Sequence, residues 1–426
     1  MRDFSLRRFL VPPILLLLSA LTCGVVSAEQ LVLVGQPASD ATWQSSTEEG
    51  VLEFRIGETV HQVPREKLVR WSTPPANIGR GEAILVDGSR LVLADSWGGT
   101  FALQLVDDTV TLATNRLGDV QVSPAQLRAA LLNAPADALR RTKLLDKLLS
   151  DADDNDADAD RIYLTNGDVL SGRVSRIASQ SSAGEAVVVF LLAGETQPVE
   201  LPTKRVAGIS WGGDGRDISR GELAVGLRDG SYLVVQTLKT KVDRYSTKLA
   251  CGITFSGDVR DVVHLQSVGS QVTYLSDVEA VDYRHQPYLD IPWPYQRDRN
   301  VLGGPLVVGG HTYAKGIGMV TAARLTYRVP PQRQRFAAEV AVDEIAVDGI
   351  AADGGAAGRG SVVFRIYLLR ENDWQQAFAS PVVRGGGRPL AVSVKLAGAK
   401  EIALVTDYAD RGDELDYADW LDARFE

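Results

Sequence analysis

The sequence predicts an all-β chain, and three observations predict it. Strict alternation recurs: Leu325, Tyr327 and Val329 against Arg324, Thr326 and Arg328, then Leu390, Val392, Val394 and Leu396 against Ala391, Ser393 and Lys395. A period of two marks half-buried strands of an antiparallel sandwich, one side on a core and the other in water. Apolar runs also end repeatedly in Asp-Gly or Asn-Gly, at Asp87-Gly88, Asn166-Gly167 and Asp229-Gly230. Those dipeptides supply the positive φ angles of a type I′ hairpin. Only one stretch in 426 residues carries helical spacing.

Residues 1–28 read as a secretion signal. Arg2, Arg7 and Arg8 precede an apolar run from Phe9 to Val26, and Val26-Ser27-Ala28 fits a small-x-small cleavage site. Arg7-Arg8-Phe9 partly matches a twin-arginine signal, but Phe9 comes one residue too early. Thr22-Cys23 lacks the small residues of a lipidation site. No other segment reaches about 18 apolar residues, so no membrane insertion is expected once the signal is cut. Cleavage removes three arginines and one aspartate, taking the net charge from −9 to −11. An acidic chain has none of the phosphate attraction that drives nucleic-acid binding. The expected location is secreted or periplasmic. Cys251 is then the only cysteine left, so no internal disulfide can form and buried area must supply the stability.

Four β units follow, near residues 29–75, 81–132, 160–212 and 222–284. The Asp-Gly and Asn-Gly hairpins open three of them. A second echo joins Gly57-Glu58-Thr59, Val63-Pro64 and Val69-Arg70-Trp71 to Gly194-Glu195-Thr196, Leu201-Pro202 and Ile209-Ser210-Trp211. Repeats of this size with period-two patterning predict small SH3-like or Sm-like barrels. Between the pairs of units, Pro124 to Ser150 carries Leu127, Ala130, Leu131, Leu139, Leu144, Leu145, Leu148 and Leu149 at helical spacing. Asp151 to Asp160 holds six aspartates. An EF-hand loop needs glycine at position six and glutamate at position twelve. Counted from Asp151, those positions hold Asp156 and Ile162, so a solvated linker is expected. The expected division is 1–28 signal, 29–132 first β region, 133–160 helical and acidic linker, 161–285 second β region and 286–426 sandwich.

Gln286 to Tyr295, with Pro287, Pro292 and Pro294, predicts an extended lead-in held at a sheet edge. Beyond it, Tyr313-Ala314-Lys315-Gly316-Ile317-Gly318 precedes an amphipathic strand, and Asp416-Tyr417-Ala418-Asp419-Trp420 closes the pattern about 100 residues later. On these motifs residues 288–426 resemble the NPCBM family, carbohydrate-binding modules found beside glycoside hydrolases. The resemblance implies a galactose-binding-like β-sandwich (jelly roll) and sugar binding as a class. Two motifs depart from the family pattern, which shows His-Ser where this chain has Val320-Thr321 and histidine in place of Tyr417.

Sugars expose a plane of C–H bonds that stacks on aromatic rings, while polar groups read the hydroxyls. Trp374, beside Asp373 in the polar run Arg370 to Gln376, is the expected exposed plate and Asp373 its acceptor. Lys315 and Tyr417, both in the motif pair, complete the candidate ligand-binding set. Trp420 is expected in the core. A bound cofactor is not expected, although a structural calcium on Asp343, Asp416 and Asp419 stays open. Gly208-Ile209-Ser210-Trp211-Gly212 fits a hydrolase nucleophile pattern, but Gly213-Asp214-Gly215 cannot start the helix that such an elbow requires. The four histidines, His61, His264, His285 and His311, lie one per segment and offer no zinc pair. The Gly349–Gly360 loop lacks the Gly-Lys-Ser/Thr of a phosphate loop.

The predicted function is therefore non-catalytic attachment to a glycan or cell-surface polysaccharide. A structural or protein-binding role among envelope proteins, and a carbohydrate-active enzyme with a catalytic site within 29–285, remain the alternatives.

Overall fold

The computed structural model describes residues 29–426 apart from 75–80, 95–101, 134, 136, 151–157, 180–185, 214–220, 269–271, 288–291, 345–359, 411, 413 and 414. The secretion signal, most of the acidic run and most of the Gly349–Gly360 loop lie outside the described residues. The described chain is all-β with one α-helix, Ala138–Leu149. No helix among the described residues is long and apolar enough to cross a membrane.

Four five-stranded units make up the first two-thirds. Each has the strand order last-first-second-third-fourth, and each enters its last strand through a single 3₁₀ turn. The third unit shows the plan most cleanly. Asp160–Leu164 pairs with both Val169–Ser179 and Val206–Ser210, then Ala186–Leu192 and Val199–Pro202 follow as antiparallel neighbours. Thr203–Arg205 is its 3₁₀ turn. The fourth unit repeats this with Leu223–Leu227, Tyr232–Lys241, Arg244–Leu249, Thr254–Asp258 and Val262–Ser267. These are the SH3/Sm-like barrel units that the repeats predict. The second strand is split in two of them: into Ser39–Asp40 and Thr42–Ser46 in the first unit, and into Arg90–Val92 and Leu103–Val106 in the second.

The Asp-Gly turns differ from the expected type I′. Gly88, Gly167 and Gly230 have φ of 87°, 96° and 97°, but the residue before each keeps a negative φ. Gly88 N bonds Leu85 O at 3.0 Å and Leu85 N bonds Ser89 O at 2.8 Å, which is a type I turn closed by a glycine bulge. The Asp87 carboxylate accepts from Ser89 N at 2.9 Å. That local bond holds Asp87 right-handed, so only the glycine needs the left-handed region.

The units pair off. The last strands of the second and third units lie antiparallel, Ala130 against Ile209, and those of the first and fourth match Trp71 with Leu265. The second and fourth units then meet through their hairpin serines. Val92 N donates to Ser231 Oγ at 3.0 Å and Val234 N to Ser89 Oγ at 2.9 Å, and both serines are buried. One hydrophobic core, from Leu31 to Leu265, runs through all four units. Ser231→Ala leaves Val92 N buried without its acceptor and is expected to cost about 1–2 kcal/mol, read as a lower urea midpoint.

Pro124–Gln126 and Leu127–Leu131 correct the helical expectation for that stretch: they are a 3₁₀ turn and a strand. Leu127, Ala130 and Leu131 fill a barrel interior and its pairing edge, where the barrel's own ladder overrides helical spacing. The helix begins only at Asp137, whose side chain accepts from Arg140 N at 2.7 Å. It is docked, with Leu145 and Leu148 buried against Ile84, Ala129, Leu131 and Tyr163.

The last third is a sandwich of two antiparallel sheets. One runs Gln296–Arg297, Gly316–Val320, Tyr417–Phe425, Arg335–Val342, Leu390–Lys395; the other runs Asp282–His285, Ala323–Arg328, Glu401–Tyr408, Ser361–Arg370, Asp373–Ala379. Two edge strands, Asp282–His285 on one sheet and Gln296–Arg297 on the other, flank the Gln286 to Tyr295 lead-in, whose described residues form no strand. Leu325, Tyr327, Val392 and Val394 point into the core around Trp420, which meets Phe364 edge-on at 5.1 Å.

Barrels and sandwich are joined by buried charge. Arg70 Nε reaches Asp422 Oδ2 at 2.5 Å and its Nη2 reaches Glu339 Oε1 at 2.9 Å, with Arg70 3% and Asp422 2% exposed. Tyr313 lies beneath the guanidinium at 5.1 Å and donates to Glu339 Oε2 at 3.1 Å. Thr273–Tyr274 adds a short strand to Phe425 and Arg424. Arg299 pairs with Asp146 of the helix.

Candidate functional site

The residues that spell the first motif do structural work. Lys315 Nζ donates to Asp277 Oδ1 at 2.6 Å and Asp298 Oδ2 at 2.9 Å, and lies 5.8 Å from the Tyr274 ring centre. Burial would lower its pKa, but the carboxylates of Asp298 and Asp277 outweigh that and hold the ammonium above its usual range. A Cβ on Gly318 would stand 2.5 Å from Arg299 O and Val301 N, so the backbone crossing there admits only glycine. Lys315, expected as a donor to ligand, is thereby committed to two carboxylates of its own chain.

Asp373 and Trp374 begin the edge strand Asp373–Ala379, just after the turn residues Glu371 and Asn372, whose φ values are 55° and 109°. Two positive φ angles in a two-residue turn are the type I′ geometry, so this tight hairpin is where that turn occurs. Asp373 is exposed and Trp374 is 38% exposed. Trp374 is the cross-strand partner of Leu369. Leu368 and Ile366 point into the core, so Leu369 and Trp374 stand on the outer side of the sheet. Tyr367 lies on that same side, its hydroxyl bonded to Gln376 Oε1 at 3.1 Å. The result is an indole and a phenol on diagonal positions, flanked by the Gln376 amide; Arg370 alternates to the other side, where its Nε bonds Ala397 O at 3.1 Å. The sequence offers Tyr367 among the module's aromatic candidates, and it gives no signal for Gln376 beyond a place in the polar run.

Tyr417 lies far from this surface. It is half-buried, and burial raises its phenol pKa. Its neighbour Asp416 accepts from Ser361 N at 2.6 Å, at the beginning of Ser361–Arg370, whereas Trp374 adjoins the end of that strand. Ten residues of strand span about 30 Å, so the structure does not bring Tyr417 and Trp374 into one site. It does bring together the two departures from the family pattern: Val320 and Tyr417 are direct cross-strand partners.

Among the described residues, no group of three or more His, Cys, Asp or Glu side chains could hold a metal. Asp416 is engaged at Ser361. Asp343 and Asp419 are buried as a pair, with Asp343 accepting from Asn300 Nδ2 at 3.3 Å and Val307 N at 3.1 Å. Asp419 meets no donor of its own and borders the Asp343 carboxyl. Two touching carboxyls are satisfied when one keeps its proton and donates to the other. Burial pushes Asp343 up to about 6, and burial with the Asp343 charge drives Asp419 well above the usual range.

Ser210 sits inside Val206–Ser210, paired with Ala129 on one side and Arg161 on the other. A flat, doubly paired strand is not a nucleophile elbow. His264 is fully buried, its Nδ1 at 3.1 Å from Ser72 O, and burial lowers its pKa to about 4, leaving it neutral.

Known proteins add the following. The NPCBM/NEW2 domain model matches residues 271–426. A curated protein of Renibacterium salmoninarum named "Putative endo-alpha-N-acetylgalactosaminidase" is 25% identical over 258 residues, 60% of this chain. The chain spans only 16% of that relative's length. Among solved structures, a CBM51 from Clostridium perfringens GH95 in complex with methyl-galactose is 22% identical, covering 36% of this chain and 99% of the other, at a TM-score of 0.30. CBM51-2 with INT domains of Clostridium perfringens ZmpB, in complex with GlcNAc, is 24% identical, covering 49% and 38%, also at 0.30. The motif pair, the two-sheet sandwich and the family match agree: residues 271–426 of this chain are an NPCBM/NEW2 domain.

Proposed function

We propose that this protein is an exported, non-catalytic carbohydrate-binding protein that attaches to a glycan or cell-surface polysaccharide through the outer surface carrying Trp374. One observation carries the reading: within a domain of the carbohydrate-binding class, Trp374 stands exposed beside Tyr367 on a sheet whose other aromatic residues are mostly committed to the core. Gln376 flanks the rings with an amide that both accepts from and donates to hydroxyls, while Asp373, paired with Arg370, is exposed on the other side of the hairpin. The barrel units serve as the scaffold that carries the module. The glycosidase activity in the Renibacterium relative's name is not carried into this reading, because the aligned portion is 16% of that protein.

The test is titration of the full chain with methyl galactoside and N-acetylglucosamine, followed by glycan arrays. Trp374→Ala is expected to weaken binding by about tenfold, a typical loss for a stacking ring. Its melting temperature should match that of the parent chain, since the indole is exposed. Unchanged affinity would move the site off this surface. If no glycan binds the parent chain, the envelope-protein role replaces this reading.

A further inference from the structure

We propose a second saccharide subsite, independent of Trp374, in the cleft where the first and fourth barrels meet the sandwich. The cleft has a volume of about 300 Å³, at the small end of the range for ligand pockets. Separate stretches of chain line it, among them Ser72 and Thr73 leaving the first barrel, Arg228 on the fourth, and His311 and Thr312 on the Leu306–Val308/His311–Tyr313 hairpin of the sandwich.

The walls are fixed before any ligand arrives. Gly309 N and Gly310 N donate to Glu344 Oε1 and Oε2 at 2.8 and 3.0 Å, which sets the turn that presents His311. Thr73 Oγ1 and His311 Nδ1 lie 3.1 Å apart, joining barrel to sandwich across the cleft. Arg228 is anchored by its backbone N to Asp261 O at 2.8 Å and by Nη2 to Arg260 O at 3.0 Å.

The chemistry suits a polyol. Glu29 also lines the cleft and sets a carboxylate against the Arg228 guanidinium. A pyranose offers hydroxyls that both donate and accept. These match a guanidinium and an imidazole on one hand, and a carboxylate and three side-chain hydroxyls on the other. Val263 and Pro74 give the ring's C–H edges an apolar contact. With no tryptophan plate in the cleft, the subsite holds one ring weakly and prolongs contact with a chain bound elsewhere.

The four histidines make the test direct. With ring-¹⁵N-labelled histidine, millimolar methyl galactoside or N-acetylglucosamine should shift the His311 resonance, assigned through His311→Gln, and leave in place that of His61, which does not line the cleft. Arg228→Ala should weaken that response by about tenfold, while Trp374→Ala should leave it intact. Glu29→Gln, also at an exposed position, should reduce it without altering the melting temperature. An unmoved His311 with both sugars overturns the subsite. A response equal in Arg228→Ala overturns it as well, whatever becomes of Trp374.

Discussion

Arg70→Met should destabilise the full chain by about 3–5 kcal/mol, the usual cost of removing one partner from a buried ion pair. Arg70 and Asp422 are almost wholly inaccessible, and Glu339 is 16% exposed. Without the guanidinium, the buried Asp422 and the part-buried Glu339 keep, among the described residues, Gln266 and Tyr313 as side-chain donors, the former at 3.3 Å from Asp422 Oδ1. Methionine fills part of the space and cannot compensate the charge. Arg70→Lys should fall between, because an ammonium keeps the charge but cannot reach both acids as a fork. Adding Asp422→Asn to Arg70→Met should restore part of the loss, a coupling that a double-mutant cycle reads directly. Urea midpoints of the four proteins measure it. A loss under about 1 kcal/mol, the value of a solvated surface pair, would refute a dry junction. By the same reasoning, a fragment starting at residue 286 keeps Glu339 and Asp422 but loses Arg70, Asp277 and Thr273–Tyr274.

Asp419→Asn should stabilise the protein at neutral pH and remove a pH dependence. A carboxyl whose folded pKa lies above its unfolded one binds its proton more tightly when folded. Its contribution is fully present below about pH 4, the unfolded value, and is lost as the pH rises through about 6 for Asp343 and higher for Asp419. Glu344 adds a like charge nearby, while Asn300 and Val307 N donate to the ionised form. Holding one proton about two units above its solution value costs roughly 2–3 kcal/mol at pH 7. Asparagine removes the like charge and offers Asp343 an N–H donor. The gain of Asp419→Asn over the parent chain should therefore be largest at pH 7–8 and shrink towards pH 4–5. A stability difference constant across that range would show that the two carboxyls do not share a proton.

Much of the architecture is written locally, and the residues show why. Strand alternation at Leu325–Val329 and Val392–Leu396 follows from a period of two, which needs only neighbours in sequence. Hairpin positions at Gly88, Gly167 and Gly230 follow from the one residue free to adopt positive φ. Turn type was less legible: the Asx bond from Asp87 to Ser89 N tips the hairpin to a glycine bulge, and the type I′ geometry falls at Glu371-Asn372 instead. Helical spacing at Leu127–Leu131 misled because a short apolar run serves a buried strand equally well.

By itself the sequence determined the fold class, the barrel repeats and the motif pair of the C-terminal module, and it offered Trp374 as an exposed ring, since periodicity, turn chemistry and local polarity set each of these. Only the tertiary structure decided what those residues face. It set Arg70 against Asp422 across 352 positions of chain, committed Lys315 to Asp277 and Asp298, and made Val320 and Tyr417 neighbours. It also placed Trp374 beside Tyr367 at the opposite end of the sandwich from Tyr417. Such pairings depend on which strands close against which. That choice is made by burying a whole core at once, and no stretch of alternating residues contains it.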